Sequence, residues 1–204
     1  MKVELHLHTS RYSGCARNTP SELVERMIEL GYDALFITEH DAVWSPFEIT
    51  QLQEGYPQIR VFPGMERSFG QTVYRHILVL GTSDPAYLAI RTEKELIDKA
   101  RAEGHLTVLA HPFRWEGGEE LLASGVRPDA LENRTNNHDA AGARQAEAAA
   151  NRYDLSLVNA GDTHALDFLG KFWIETARPL KQADDIRRIV LASDYVNKIA
   201  AGVG

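Results

Sequence analysis

Histidines and carboxylates recur along this chain at spacings that suit metal binding. His6 and His8 are separated by one residue at the end of an apolar run. Alternate residues of a β-strand face the same side, so both imidazoles can point to one centre. Imidazole nitrogens with carboxylate oxygens suit zinc, manganese or iron and are too rich in nitrogen for calcium or magnesium alone. The sequence therefore predicts a divalent-metal site. Its candidate ligands are His6, His8, His40, Glu66, His76, His111, Asp162 and His164.

Short apolar runs that precede most of these residues predict the strands that position them. The runs cover residues 3–7, 34–38, 59–63, 77–81, 106–110, 129–132, 155–159 and 172–176, and predicted helices cover about 20–30, 46–53, 93–103, 140–150 and 184–192. This alternation indicates βαβ units and a mostly parallel sheet. About seven such strands favour a closed or nearly closed barrel, with an open doubly wound sheet as the alternative. The carboxyl ends of parallel strands meet at one edge, where active sites gather. Only His76 stands at the start of its run.

Length and composition indicate one globular domain over residues 1–204. The 204 residues suffice for one substantial core, and the net charge of −7 disfavours, without excluding, extensive binding to nucleic acid. No apolar run approaches the length of a membrane span. The single cysteine, Cys15, excludes an intrachain disulfide and fits a reducing compartment. We therefore expect a cytoplasmic protein with no membrane association.

Taken together, these motifs resemble the PHP family, whose name refers to polymerases and histidinol phosphatases. The matching segments are residues 4–10, 36–41, 63–66, 76–78, 110–113 and 161–164. The resemblance extends over most of the chain. It implies a single-domain α/β fold, a distorted TIM-like (β/α)7 barrel. It also implies two or three divalent metal ions and phosphoester hydrolysis as the usual activity.

The resemblance also assigns roles to individual ligands. It implies that one metal is bound by His6, His8, Glu66 and Asp162. It implies that Glu66 bridges to a second metal, shared with His40 or with His76 and His111, and that His164 completes the set.

Two positions depart from the family pattern. Glu4 stands where the family usually has aspartate. The loop after the first histidine pair lacks the usual aspartate or histidine ligand and instead contains Cys15, five residues before Pro20. Two interpretations of Cys15 remain open, namely a thiolate ligand and a small buried thiol.

We expect the enzyme to hydrolyse a phosphomonoester or phosphodiester of a small molecule, such as a nucleotide or sugar phosphate. The expected nucleophile is a hydroxide bridging metals that Glu66 links, and His164 is the candidate proton donor to the leaving oxygen. Arg114 is the first candidate for a phosphate contact, with Arg11 and Arg67 as further candidates.

Four other residues complete the predictions. Glu132, at the end of a predicted strand, is expected with Asn133 to contact substrate or to support a ligand. His105 and His138 follow no predicted strand, and we expect them to be structural or solvent-exposed.

Three other functions fit the same motifs. A nuclease would need a basic groove, and the sequence contains no obvious run of lysine and arginine to form one. A metal-binding scaffold without catalysis is suggested by the departure at residues 13–15. Hydrolysis of an amide by the same metal chemistry is the last alternative, which the resemblance disfavours.

Overall fold

The computed structural model describes residues 1–70 and 74–203 of the chain. Its strands are β1 (Lys2–Leu7), β2 (Ala34–Ile37), β3 (Arg60–Phe69), β4 (Arg75–Leu80), β5 (Leu106–Ala110), β6 (Ala130–Glu132), β7 (Ser156–Val158), β8 (Phe172–Thr176) and β9 (Tyr195–Ile199). Its α-helices are α1 (Pro20–Glu29), α2 (Pro46–Gly55), α3 (Glu93–Glu103), α4 (Gly117–Ala123), α5 (Ala140–Tyr153) and α6 (Asp185–Leu191), and 3-10 helices span Pro85–Ala89 and Leu166–Phe168.

The helix starts follow local capping chemistry. Thr19 and Glu22 form a capping box at the start of α1, and Ser45 and Glu48 do the same for α2. In each box the hydroxyl accepts a backbone N–H of the first turn while the glutamate accepts the N–H of the cap residue. These caps define where α1 and α2 begin, after the loops that follow β1 and β2.

All nine strands of the described residues lie in one sheet, in the order β7-β6-β5-β4-β3-β2-β1-β8-β9. The pairs β1–β2, β2–β3, β5–β6 and β6–β7 are parallel, whereas β3–β4, β4–β5, β1–β8 and β8–β9 are antiparallel. The predicted mostly parallel sheet is therefore only partly correct, since four of the eight pairs are antiparallel and β4 and β8 run against their neighbours. Neither α4 nor β9 was predicted from the sequence.

Side chains join the two outer strands and nearly close the barrel. The Tyr195 hydroxyl donates to the carbonyl of Leu157 at 2.6 Å, and the Asn197 side chain donates to the same carbonyl at 2.8 Å. The Asn197 side chain also accepts the backbone N–H of Asn159 at 2.6 Å. The predicted α/β fold with a nearly closed, barrel-shaped sheet is confirmed, and proteins of similar structure are described below.

Three apolar clusters fill the space around the sheet. The inner cluster takes residues from β1 to β8 together with one face of α6, including Leu5, Phe36, Val108 and Ile189. Two outer clusters pack α1 and α2, and α3 to α5, against the outside of the strands. The barrel interior is thus a packed core, which leaves the strand ends to carry polar groups. No helix in the described part of the chain is long and apolar enough to cross a bilayer.

Candidate metal centre

The eight predicted ligands come together in one cluster at the edge of the barrel where β1, β2 and β5 have their carboxyl ends. Most lie at or beyond the carboxyl end of a strand, as the sequence analysis expected. His76, the exception, is the second residue of β4 and pairs in register with Ala110 of β5 and Ser68 of β3. Because β4 is antiparallel to both neighbours, it begins at the edge where β3 and β5 end.

Glu66 was predicted to follow the third strand. In the structure it lies inside that strand, β3. β3 continues past Pro63 and Gly64 to Phe69, so that Glu66 faces Leu78 of β4. An isolated parallel bridge also pairs Glu66 with His40 beyond the end of β2. The Glu66 carboxylate is fully buried in the middle of the cluster.

Four side chains form the deepest group. His6 Nε2 and His8 Nε2 are 2.9 Å apart, and each lies 3.4 Å from Asp162 Oδ1. Glu66 completes the group at 3.4 Å from His6 and 3.3 Å from His8. Zinc binds nitrogen and oxygen at about 2.0–2.2 Å, which separates tetrahedral ligands by about 3.4 Å. His6, His8 and Glu66 therefore form one set of ligand atoms within 4.8 Å of one another that could hold an ion, and Asp162 lies beside its two histidines.

Glu66 connects this group to three further histidines. His40 Nδ1 lies 2.7 Å from Glu66 Oε2, while His76 Nδ1 and His111 Nε2 lie 2.9 and 3.2 Å from Oε1. His40, Glu66 and His76 form a second set of ligand atoms that lie within 4.8 Å of one another. Glu66 can therefore contribute to two neighbouring ions.

A third set contains His8, His40 and His164. His164 Nε2 lies 3.4 Å from His40 Nε2, and the His164 and His8 rings stack with centroids 4.2 Å apart. The His164 Nδ1 atom lies 3.1 Å from the carbonyl oxygen of Asp162 and can donate to it. This arrangement leaves Nε2 of His164 available to an ion.

The backbone is strained at two of these ligands. His111 has φ of 29° and Asp162 has φ of 46°, in the left-handed region that non-glycine residues seldom adopt. Such conformations cost of order 1–3 kcal/mol and persist where surrounding contacts enforce them, often at functional sites. Gly161, the residue before Asp162, is also constrained, because a Cβ there would lie 2.5 Å from both Glu4 Oε2 and Thr163 Oγ1.

Polar neighbours orient the first two histidines. The His6 Nδ1–H donates to Glu132 Oε1 at 2.6 Å, and the His8 Nδ1–H donates to Ser13 Oγ at 3.3 Å. Ser13 in turn donates to the buried carboxylate of Glu39 at 2.6 Å. Each contact turns the Nε2 lone pair of its histidine toward the cluster, as outer partners of metal ligands do.

Sequence reasoning identified Glu132 as a possible support and missed several other residues. Glu132 also accepts the backbone N–H of His111 at 2.7 Å, so it positions two ligands. Asn137 donates to Asp162 Oδ2 at 2.5 Å. The adjacency of Glu39 to His40 was the available signal for Glu39, whereas no sequence pattern indicated Ser13 or Asn137.

Burial and neighbouring charges shift the pKa values of several side chains in the cluster. Burial opposes protonation of His6, but Asp162, Glu132 and Glu66 outweigh it and raise the pKa of His6 well above its usual value. Burial lowers the pKa of His8 to about 3, despite the opposing effect of Asp162 and Glu66. Burial alone would raise the pKa of Glu66, but His6 and other histidines hold it well below its usual range. Both carboxylate and imidazole ligands must be deprotonated to bind a metal.

The donor set fits divalent cations. Five carboxylates are fully or almost fully buried here, and within the described residues no lysine or arginine lies within 4 Å of any of them. They are Glu4, Glu39, Glu66, Glu132 and Asp162. Glu66 Oε2 and Asp162 Oδ1 accept no hydrogen bond of normal geometry in the described structure, although histidine nitrogens lie 2.7 Å from the first and 3.4 Å from the second. Glu66 and Asp162, whose pKa values burial would raise but the neighbouring histidines hold below the usual range, are the buried charges that paired cations or metal would stabilise.

The three arginines predicted to contact substrate differ in their partners. Arg11 pairs with Glu48, and Arg67 pairs with Asp41 and donates to nearby backbone carbonyls. Arg114 is exposed, and within the described residues no carboxylate lies within 4 Å of its guanidinium. Its guanidinium lies 4.7 Å from the centre of the Trp115 ring. Arg114 therefore has the charge most readily available to an anionic ligand.

The remaining predicted residues lie outside the cluster. Cys15 is exposed and belongs to none of the ligand sets of the described residues, and partial burial raises the pKa of its thiol. The alternative of a small buried thiol is therefore wrong. His105 pairs with Asp184 at 2.8 Å, away from the cluster. His138 is buried, with Nδ1 donating to the carbonyl of Asn133 and Nε2 accepting the N–H of Phe113.

Comparison with known proteins agrees with this geometry. A family model described as PHP domain matches residues 4–111, just over half of the chain. Comparison with curated protein sequences gives no match.

Solved structures share the fold at low sequence identity. One is a candidate metal-dependent phosphoesterase from Bifidobacterium adolescentis, with 16% identity, TM-score 0.68 and coverage of 93% of this chain and 95% of its own. Another is a two-domain protein from Bacteroides vulgatus that contains a predicted PHP-like metal-dependent phosphoesterase, with 16% identity, TM-score 0.73 and coverage of 98% and 64%. An amidohydrolase from Chromobacterium violaceum, with bound sulfate and no metal, has 15% identity, TM-score 0.68 and coverage of 96% and 98%.

Proposed function

The chain belongs to the PHP domain family, and from this premise we propose that it hydrolyses phosphoesters of small molecules with two or three divalent metal ions. Zinc, manganese and iron are the candidates, because the donor set is rich in imidazole. The proposal has its main support in the surroundings of the Glu66 carboxylate. Five histidines place a nitrogen within 3.4 Å of it, namely His6, His8, His40, His76 and His111.

Bound divalent ions would supply Lewis-acid chemistry, lowering the pKa of water and neutralising phosphate charge. The protein's own part is to hold His8 and Glu66 in their metal-binding protonation states and to orient the histidine rings. Burial keeps His8 neutral by lowering its pKa to about 3, and the histidines keep Glu66 ionised. Glu132 and Ser13 fix the ring orientations of His6 and His8.

Hydrolysis joins the oxygen of water to phosphorus, breaks the bond from phosphorus to the leaving oxygen, and transfers a proton to that oxygen. His164, at the partly exposed edge of the cluster, is proposed as a ligand or, where metal does not engage it, as the proton donor to the leaving oxygen. Burial lowers the pKa of His164 although Asp162 opposes the shift, so its neutral, ligating form is favoured near pH 7. Arg114 is proposed to bind phosphate oxygens, since a guanidinium matches them bidentately. The proposed Arg11 and Arg67 contacts are less supported, because each guanidinium already has a carboxylate partner.

The proposal is tested with protein loaded with zinc, manganese or iron(II). We expect metal-dependent hydrolysis of 4-nitrophenyl phosphate or bis(4-nitrophenyl) phosphate that a chelator abolishes. The double variant His6→Ala/His8→Ala should lose at least about 100-fold in rate, because two ligands of the deepest group disappear. The matched control is His105→Ala, which removes a histidine outside the cluster and should retain activity.

Circular dichroism establishes that the double variant is folded. Full activity in a folded double variant would refute the metal role of the pair. An oligonucleotide substrate, assayed at several salt concentrations, tests the nuclease alternative. Steep inhibition by salt would favour a nuclease, since contacts to a polyanion weaken strongly with ionic strength.

A further inference from the structure

A groove of about 610 Å³ lies between the loop that follows β5 and the helix α5. On one side the loop contributes Phe113, Arg114 and Trp115, and on the other α5 contributes Ala148 and Ala149. The groove is therefore lined by aromatic and aliphatic groups together with charged side chains, Arg114 and Arg152 among them. Its apolar groups can bind the apolar part of a ligand.

Trp115 connects the groove to the metal centre. Its ring centroid lies 5.1 Å from those of His76 and His111, in edge-to-face contact with both imidazoles. On the same side of the cluster, the half-exposed ring of Tyr74 lies 5.9 Å from Trp115. A substrate with its phosphate at the cluster would therefore have Trp115 next to the atoms beyond the phosphate.

The loop that carries Trp115 is held in place by the protein itself. The N–H of Phe113 donates to His138 Nε2 at 3.2 Å, and the N–H of Arg114 donates to the carbonyl of His111 at 3.0 Å. Gly118 packs so closely on Pro112 that a Cβ there would lie 1.9 Å from the Pro112 carbonyl oxygen. The groove is therefore preformed, and a ligand need not order it.

The groups that line the loop side of the groove are planar. Phe113 and Trp115 present aromatic rings, and the guanidinium of Arg114 lies over the indole ring. The other arginine of the groove, Arg152, is engaged by Glu119 at 2.7 Å. Aromatic rings and guanidinium groups favour flat π-systems over flexible alkyl chains, because offset stacking and cation–π contacts add to simple apolar burial.

We propose that this groove binds the leaving alcohol of the substrate and that Trp115 selects alcohols that carry an aromatic ring. The inference rests on the proposed phosphoester hydrolysis and narrows its substrate class. The phosphate would occupy the cluster, while the ring of the alcohol would pack beside Trp115 along the loop. Trp115 is on this account a specificity residue and not a metal ligand.

The test compares 2-phenylethyl phosphate with n-hexyl phosphate, whose leaving alcohols are similar in acidity and apolar size. Wild-type protein should prefer the aromatic ester in kcat/KM by about 3- to 10-fold, the range expected for an aromatic contact beyond area burial. Trp115→Ala should reduce this ratio to near one, and Trp115→Phe should retain most of it. The matched control is Phe47→Ala, which removes an exposed aromatic ring on α2 and should leave the ratio unchanged.

A second variant keeps the test independent of the folding of Trp115→Ala. Ala148 is exposed on α5 and lines the groove without contacting the cluster, so Ala148→Trp should fill the groove and abolish the preference. An unchanged ratio in folded Trp115→Ala and Ala148→Trp, or a wild-type ratio near one, would overturn the inference while hydrolysis itself stands.

Binding of the non-hydrolysable 2-phenylethylphosphonate and n-hexylphosphonate, measured by calorimetry on metal-loaded protein, separates the two proposals. Preferential binding of the aromatic phosphonate that Trp115→Ala removes, without hydrolysis of either ester, would support the groove and refute phosphoester hydrolysis. Equal binding of the two phosphonates would contradict the groove.

Discussion

Replacing Glu132 by glutamine tests how the cluster holds its histidines. Glu132 accepts two hydrogen bonds, from His6 Nδ1 at 2.6 Å and from the His111 N–H at 2.7 Å. Glutamine has nearly the same shape but only one acceptor oxygen. If that oxygen faces His6, the amide NH2 meets the N–H of His111. If it faces His111, the NH2 meets His6 Nδ1, and His6 must place its proton on Nε2, where it would bind metal.

Either orientation weakens metal binding. Loss of an outer partner of a ligating histidine costs about 10- to 100-fold in metal affinity, or about 1.4–2.7 kcal/mol. We expect this loss for Glu132→Gln in a competition titration with a chromophoric chelator. Glu119→Gln is the matched control, because Glu119 pairs with Arg152 on the surface and its replacement should leave the affinity unchanged. Wild-type affinity in Glu132→Gln would refute the orienting role.

Three further predictions concern single residues around the cluster. Hydrogen bonds, that of Tyr12 foremost, lower the pKa of Glu48 from 4.5 to about 2, so its stabilising effect is present above pH 4.5 and is lost as pH falls toward 2. Because its partners are exposed, we expect Glu48→Gln to lower the free energy of unfolding by only about 1–2 kcal/mol at pH 6, and by little at pH 2. Urea titrations at the two pH values measure this difference. Equal losses at both pH values would contradict the prediction. Gly161→Ala should lower the melting temperature, because the added methyl would lie 2.5 Å from buried oxygens, and an unchanged value would contradict the close packing. Asn137→Ala should lower metal affinity by about 10-fold by releasing Asp162, whereas a wild-type titration would show that this contact is dispensable.

The sequence predicted much of the site because its ligands follow local patterns. The alternation of His6 and His8 and the apolar runs before His40 and His111 depend only on strand geometry. The position of Glu66 inside a strand was harder to predict from the sequence. Proline and glycine usually interrupt strands, so Pro63 and Gly64 concealed the continuation of β3 to Phe69.

Other features depend on contacts between distant parts of the chain. The antiparallel direction of β4, which explains the place of His76, follows from pairing with β3 and β5 and has no signature in the apolar run itself. Apolar and polar residues alternate only weakly in β9. This strand is held in place by its own side chains, such as Asn197, which reach the chain at the end of β7. Trp115 was missed because its contact with His76 depends on the fold of a loop. Predictions that rest on long-range packing therefore require the structure.

The most direct test of a metal cluster is anomalous scattering from crystals grown with zinc or manganese, with data collected on both sides of the metal absorption edge. The account predicts two or three anomalous peaks per chain, one of them surrounded by His6 Nε2, His8 Nε2, Glu66 and Asp162. The ligand atoms of that peak should lie at about 2.0–2.2 Å. Crystals with fully ordered histidines and no anomalous peak at this position would contradict the central claim.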